Sequence, residues 1–201
     1  MSRSSISFSV FTKPWRRESI EELGTLISGF GFDGVEFPLR DGYQVEPQNA
    51  EAGLPLLVQR LSQYNLQVYS VATVPDERVF AGCAAAGVPV IRIMGEFDAK
   101  RGYLECEAEM KSKLETLVPL CEKYGVKIGV QHHYGYGVSN SMELLHLIES
   151  FDPQYIGAIW DAGHSGLAGD DPKKGLDIVW SHLCMVNLKN AFYRRVNGPE
   201  A

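Results

Sequence analysis

Asp161 and His164 stand three residues apart in the stretch Ile156-Gly-Ala-Ile-Trp-Asp161-Ala-Gly-His164-Ser-Gly. An apolar run ends in an aspartate, and two glycines and a histidine follow. The pattern predicts a buried strand that opens into a polar loop, with Asp161 at the carboxyl end of the strand. In parallel α/β folds, chemistry gathers at that edge. Asp161 at such an edge is read as a functional carboxylate, and His164, one turn on, as either a functional or a structural group. The plain alternative is that Asp161 caps the following turn and His164 closes it.

Other polar groups fall at comparable strand ends. Gln131, His132 and His133 follow Val126 to Val130, and Asn187 and Lys189 close the run from Leu183. Side chains alternate along a strand, so His132 and His133 face opposite sides, and one of them is only packed. Glu36 sits inside the apolar run Gly34 to Phe37. A buried carboxylate needs a partner or a raised pKa, so Glu36 is either a base or half of a salt bridge, for example to Arg92. Lys189 contacts a phosphate or carboxylate, or lines the rim. His146 and His182 are read as structural.

The elements that position these groups alternate in type. Strands are predicted over Ile6 to Phe11, Gly34 to Phe37, Leu66 to Val71, Val88 to Met94, Val126 to His133, Ile156 to Asp161 and Leu183 to Lys189. Pro89 must lie at the start of its strand, because proline donates nothing to a ladder. Helical spacing joins Ile20, Leu23, Ile27 and Phe30, with Gly31 as the stop. A polar loop is expected over Asp41 to Gly53, then a helix over Leu54 to Tyr64. Small residues from Arg78 to Gly87 suit a helix packed closely on a sheet. Met110, Leu114, Leu117 and Cys121 share a helix face. Asn140 and Glu143 have the spacing of a helix start, and Pro172 begins a short helix.

Seven strand–helix alternations predict a parallel sheet. A doubly wound sheet would carry a glycine-rich loop after its first strand, and Phe11 to Trp15 is not one. The expected fold is therefore a (β/α)₈ barrel of the TIM type in one domain, residues 1–201. It shows only seven units and is short of the ~250 residues of a complete barrel. An unclosed barrel has two sheet edges prone to association. A homodimer is expected, or further carboxyl-terminal residues that supply strand eight.

The chain has 201 residues, 45% of them hydrophobic, and a formal net charge of -6. Such a balance is unsuited to gripping nucleic acid phosphates. The four cysteines form no CxxC pair, so reduced thiols and a cytoplasmic location are expected. No apolar run is long enough to cross a membrane.

Phe32-Asp-Gly-Val-Glu36, Gly129-Val-Gln131-His-His133, Trp160-Asp161-Ala-Gly-His164 and Val186-Asn187-Leu-Lys189 together resemble the xylose-isomerase-like barrels. That superfamily includes sugar and sugar-phosphate isomerases, epimerases and endonuclease-IV-type proteins. The resemblance implies a divalent metal held by groups on strands five to eight. By position these become Gln131, Asp161 and Asn187, with no counterpart to the last. His164 is added to them as a donor beside Asp161. Gln and Asn replace the family's Glu and His, so an oxygen-rich site for Mg²⁺, Mn²⁺ or Ca²⁺ is expected rather than one for Zn²⁺.

The function implied is a sugar or sugar-phosphate isomerase or epimerase. It would act on a small carbohydrate by metal-assisted proton or hydride transfer, with Glu36 or His133 as base and Lys189 on the substrate. The alternative is a diverged, non-catalytic barrel that binds a sugar or polyol. Abasic-site DNA cleavage is disfavoured by the five histidines and the net charge of -6.

Overall fold

The computed structural model describes residues 6–98, 100–135 and 137–193. Seven strands alternate with helices: β1 (Ser9–Phe11), α1 (Ile20–Gly29), β2 (Gly34–Pro38), α2 (Ala50–Ser62), β3 (Gln67–Ala72), α3 (Glu77–Ala86), β4 (Val90–Met94), α4 (Tyr103–Tyr124), β5 (Lys127–Gln131), α5 (Ser141–Ile148), β6 (Ile156–Asp161), α6 (Ala162–Ala168), α7 (Pro172–Val179) and β7 (Leu183–Asn187). The order of strands in the sheet is their order in the chain. The chain divides into two compact units: Met1–Ile93 with Pro119–Ile128, and Met94–Val118 with Gly129–Ala201.

In the first unit β1, β2, β3 and β4 pair in parallel. Leu23 and Ile27 of α1, Leu54, Leu57 and Leu61 of α2, and Val35 and Phe37 of β2 are all fully buried. Ser19 and Glu22 close a reciprocal capping box at the start of α1. Gly31, with φ +78°, turns the chain away after that helix, as expected of a residue without Cβ. Pro89 lies just outside β4, where its carbonyl accepts the Lys127 N–H at 2.9 Å.

Glu36 and Arg92 belong to this unit. Arg92 Nε donates to Glu36 Oε1 at 2.5 Å, with the two side chains 7% and 5% exposed. The guanidinium also lies 4.7 Å from the Phe11 ring centroid. Of the two readings left open for Glu36, the structure shows the salt bridge.

Two local expectations are corrected. The loop expected up to Gly53 already contains a 3₁₀ turn, Pro47–Asn49, and the first turn of α2. Gly53 lies within α2, where a Cβ would fall 2.5 Å from Val45 Cγ1, so it marks close packing rather than a turn. Of the small residues of α3, Gly82 packs on α2 rather than on the sheet. A Cβ on Gly82 would fall 2.6 Å from the backbone C and O of Ala50. Gly82→Ala is expected to lower stability by about 1–3 kcal/mol through overpacking, read as a reduced urea midpoint. An unchanged midpoint would show that the α2–α3 contact gives way freely.

In the second unit β6 and β7 pair in parallel, with Asp161 opposite Asn187. Leu144, Leu147 and Ile148 of α5, Ile156, Ala158 and Ile159 of β6, and Val179 of α7 are fully buried. Asn140 accepts the Glu143 N–H at 2.9 Å, and Asp171 accepts that of Lys174, also at 2.9 Å. Both caps stand where the sequence placed helix starts. Among the described residues, no helix is long and apolar enough to cross a membrane.

Candidate functional site

The candidate site is built at the carboxyl end of β6. Residues 156–161 are all buried, which explains the unbroken apolar run, and Asp161 is the last of them. The polar loop expected next is not there: α6 begins at the following residue. Asp161 is its N-cap. Oδ1 accepts the His164 N–H at 3.0 Å, meeting a donor that the first helical turn leaves orphaned. The capping reading of Asp161 is thus realised.

The other oxygen does different work. Asp161 Oδ2 accepts from Gln131 Nε2 at 2.6 Å and lies 2.9 Å from Lys189 Nζ. Lys189 Nζ is also 2.7 Å from His164 Nε2. An ammonium only donates, so Nε2 of His164 accepts and its proton resides on Nδ1. The Asp161 side chain is fully buried while that of Lys189 is 44% exposed. One end of the pair is fixed in the fold and the other reaches solvent. Gly163 makes this reach sterically feasible, because a Cβ there would fall 2.7 Å from Lys189 Cγ.

The charge states follow from the surroundings. Burial pushes the Asp161 carboxyl up. The His164 N–H and the Lys189 ammonium push it down, and the net direction is down. Burial and the neighbouring Lys189, His133 and His132 outweigh Asp161 and lower His164 to about 4. Its imidazole is therefore neutral at pH 7.

A stability consequence follows for His164. Between about pH 6.5 and 4 an unfolded histidine binds a proton that the folded one does not. Stability contributed by His164 therefore declines as pH falls through that window. His164→Asn is expected to flatten the pH dependence of the urea midpoint there; an unaltered slope would contradict a neutral buried imidazole.

His133 lies at the end of β5, half-buried, its ring centroid 3.6 Å from that of His164. His133 Nδ1 is 3.1 Å from the Tyr134 carbonyl oxygen. A carbonyl only accepts, so Nδ1 carries a proton and donates to it. His132 is fully buried, and burial holds its ring neutral. His133 thus lies against His164, while His132 is buried with its ring near enough to Asp161 and Lys189 to feel both charges. His146 Nδ1 donates to Glu107 Oε1 at 2.6 Å, and His182 Nε2 donates to the Phe151 carbonyl at 3.1 Å.

Gln131, Asp161, His164 and Lys189 are therefore one contact group with His133 against it, and Asn187 is the ladder neighbour of Asp161. Sequence reasoning missed the support beneath them. Asp170 Oδ2 accepts from Ser141 Oγ at 3.3 Å and Ser165 Oγ at 3.2 Å, and Trp160 Nε1 donates to Ser141 Oγ at 3.2 Å. This network ties the start of α5 to β6 and α6. The Ser-rich flanks and Asp170 carried no spacing signal that could have revealed it.

Residues 25–198 match the family described as Xylose isomerase-like TIM barrel. The chain belongs to that family. Inosose dehydratase of Lacticaseibacillus casei is 34% identical over 77 residues, 38% of this chain and 26% of that protein. Inosose dehydratase 2 of Bacillus cereus is 31% identical over 95 residues, 47% and 32% respectively. The chain thus spans about a quarter to a third of the length of these curated relatives.

Among solved structures, 3-keto-D-glucoside 4-epimerase of E. coli superposes with a TM-score of 0.76 at 14% identity, over 90% of this chain and 78% of that one. D-psicose 3-epimerase of Clostridium cellulolyticum H10 gives 0.73 at 10%, over 90% and 72%. The IOLI protein, whose structure has a bound zinc atom, gives 0.68 at 15%, over 85% and 68%. These likenesses establish the α/β TIM-barrel type of fold, with seven strands among the described residues.

The zinc in that relative raises the question of fit. Asp161 is the sole carboxylate of the contact group, and both its oxygens are engaged. Among the described residues no group of three or more His, Cys, Asp or Glu is placed to hold a metal ion. The residues present do not fit a resident divalent ion.

Proposed function

We propose that this protein enolises a small polyhydroxy carbonyl compound, the first step of sugar isomerisation and epimerisation. The observation that carries the reading is the Lys189 ammonium, held by buried Asp161 and His164, with the His133 ring set against that of His164 and oriented by its Nδ1 contact with the Tyr134 carbonyl. A positioned cation and a positioned base are what enolisation requires.

His133 Nε2 takes the proton on the carbon next to the carbonyl. The C–H bond breaks, and its electron pair moves toward the carbonyl oxygen. Negative charge grows on that oxygen, and Lys189 donates to it. Asp161 and His164 hold the ammonium, while Gln131 and the α6 N-terminus keep the Asp161 carboxylate oriented. Returning the proton to the former carbonyl carbon, while the neighbouring hydroxyl passes its proton to the enolate oxygen and becomes the new carbonyl, isomerises the sugar. A proton delivered from solvent to the opposite face of the original carbon epimerises it, His133 keeping the one it took. Loss of a hydroxide from the enolate would give dehydration, the activity in the names of the inosose dehydratases.

The test is solvent exchange. Purified protein is incubated in D₂O with D-fructose, D-tagatose, D-psicose and scyllo-inosose, and carbon-bound protons are followed by NMR. Exchange at the carbon next to the carbonyl in at least one compound is expected. Saturable binding of these compounds without exchange would instead establish the non-catalytic, sugar-binding reading.

A further inference from the structure

We infer that Lys189 is the resident cation of this site, an ammonium in place of a divalent metal ion. The inference deepens the proposed function for the identity of the cation, but its decisive measurement needs no turnover.

Three observations converge. Lys189 Nζ lies 2.9 Å from Asp161 Oδ2 and 2.7 Å from His164 Nε2, a carboxylate oxygen and a neutral imidazole nitrogen. These are the two donor types that bind divalent ions, and here one cation already serves both. Gln131 turns its amide N–H, not its carbonyl oxygen, to Asp161 Oδ2 at 2.6 Å. That orientation suits a carboxylate bound to an ammonium. Finally, Gly163 forms a notch in α6 that accepts the lysine stem: an added Cβ would fall 2.7 Å from Cγ and 3.1 Å from Cε. The stem is seated, so the ammonium arrives by construction rather than as a loose surface charge.

The chemistry is that of one positive charge instead of two. An ammonium has three N–H bonds. Two are directed at Asp161 and His164, and the third is left to a ligand oxygen. It polarises a carbonyl more weakly than a divalent ion and resists chelators. A divalent ion entering this centre would meet a like charge within about 3 Å, which is strongly repulsive at any protein dielectric.

The experiment is calorimetric titration of Mn²⁺ and Zn²⁺ into EDTA-treated, dialysed protein, wild type and Lys189→Met. Methionine retains the stem length and removes the charge. Wild type is expected to show no stoichiometric binding tighter than about 1 mM, and Lys189→Met to bind roughly tenfold tighter or more, once the repulsion is gone. Stoichiometric micromolar binding by wild type that Asp161→Asn abolishes would overturn the inference. So would a folded Lys189→Met protein with unchanged metal affinity. If Lys189→Met does not fold, the wild-type titration decides alone. Absence of sugar exchange alongside weak metal binding would defeat the proposed function and leave the ammonium assignment standing.

Discussion

Asp161→Ala is expected to reduce exchange on any compound the wild type accepts by about 10³-fold or more. The side chain has two roles that the substitution removes together. Oδ2 fixes the Lys189 ammonium, and without it the cation loses the carboxylate that orients it. Oδ1 caps α6, which carries His164. Loss of the cap costs about 0.5–2 kcal/mol. Removal of the acceptor facing Gln131 and Lys189 adds about 1–3 kcal/mol. Asp161→Asn separates the roles, because an asparagine oxygen also caps a helix. It should recover most of the stability and little of the exchange. Equal exchange by Asp161→Ala and wild type would remove Asp161 from the chemistry.

The second large effect is on stability, at the Glu36–Arg92 pair. Both side chains are nearly buried, and a buried guanidinium deprived of its carboxylate is costly. Glu36→Ala is expected to destabilise by about 3–5 kcal/mol, seen as a lower urea midpoint with an unchanged slope. The double substitution Glu36→Leu with Arg92→Met should regain most of that loss, because a buried ion pair is often replaced by apolar side chains at little net cost. The contrast distinguishes the two sequence readings of Glu36. A catalytic base would lose exchange on substitution by Gln with stability intact. A structural ion pair loses stability first and regains it in the double variant.

The fold was largely legible in the sequence because its signals are local. Seven apolar runs separated by helical spacing, with Gly31, Pro89 and Pro172 as punctuation, define the β/α order without knowledge of any distant contact. Asp161 was legible for the same reason: a carboxylate ending a buried run is conspicuous. The helix directly after it was not, because Gly163 and Gly166 read as loop residues. Both glycines weaken helix propensity, and the Asp161 cap and burial of the helix outweigh them. Nor could the Lys189–Asp161 contact be foreseen. The residues are 28 positions apart, and only the register of β6 against β7 brings them together. The family resemblance proposed Gln131, Asp161 and Asn187 as donors to a metal, with His164 added beside Asp161; the structure gathers Gln131, Asp161 and His164, with the lysine among them. Gly163 shows the general difficulty. Its lack of a Cβ looks like flexibility in sequence and is room for a specific side chain in space.

The account rests on the Lys189 ammonium as the group that receives the developing negative charge. Its most direct test is the D₂O exchange rate of wild type and Lys189→Met, each measured in excess EDTA on the best accepted compound. Wild type is predicted to keep its full rate in EDTA, and Lys189→Met to fall by about 10²–10³-fold. Loss of wild-type exchange in EDTA, or a wild-type rate in Lys189→Met, would contradict the account.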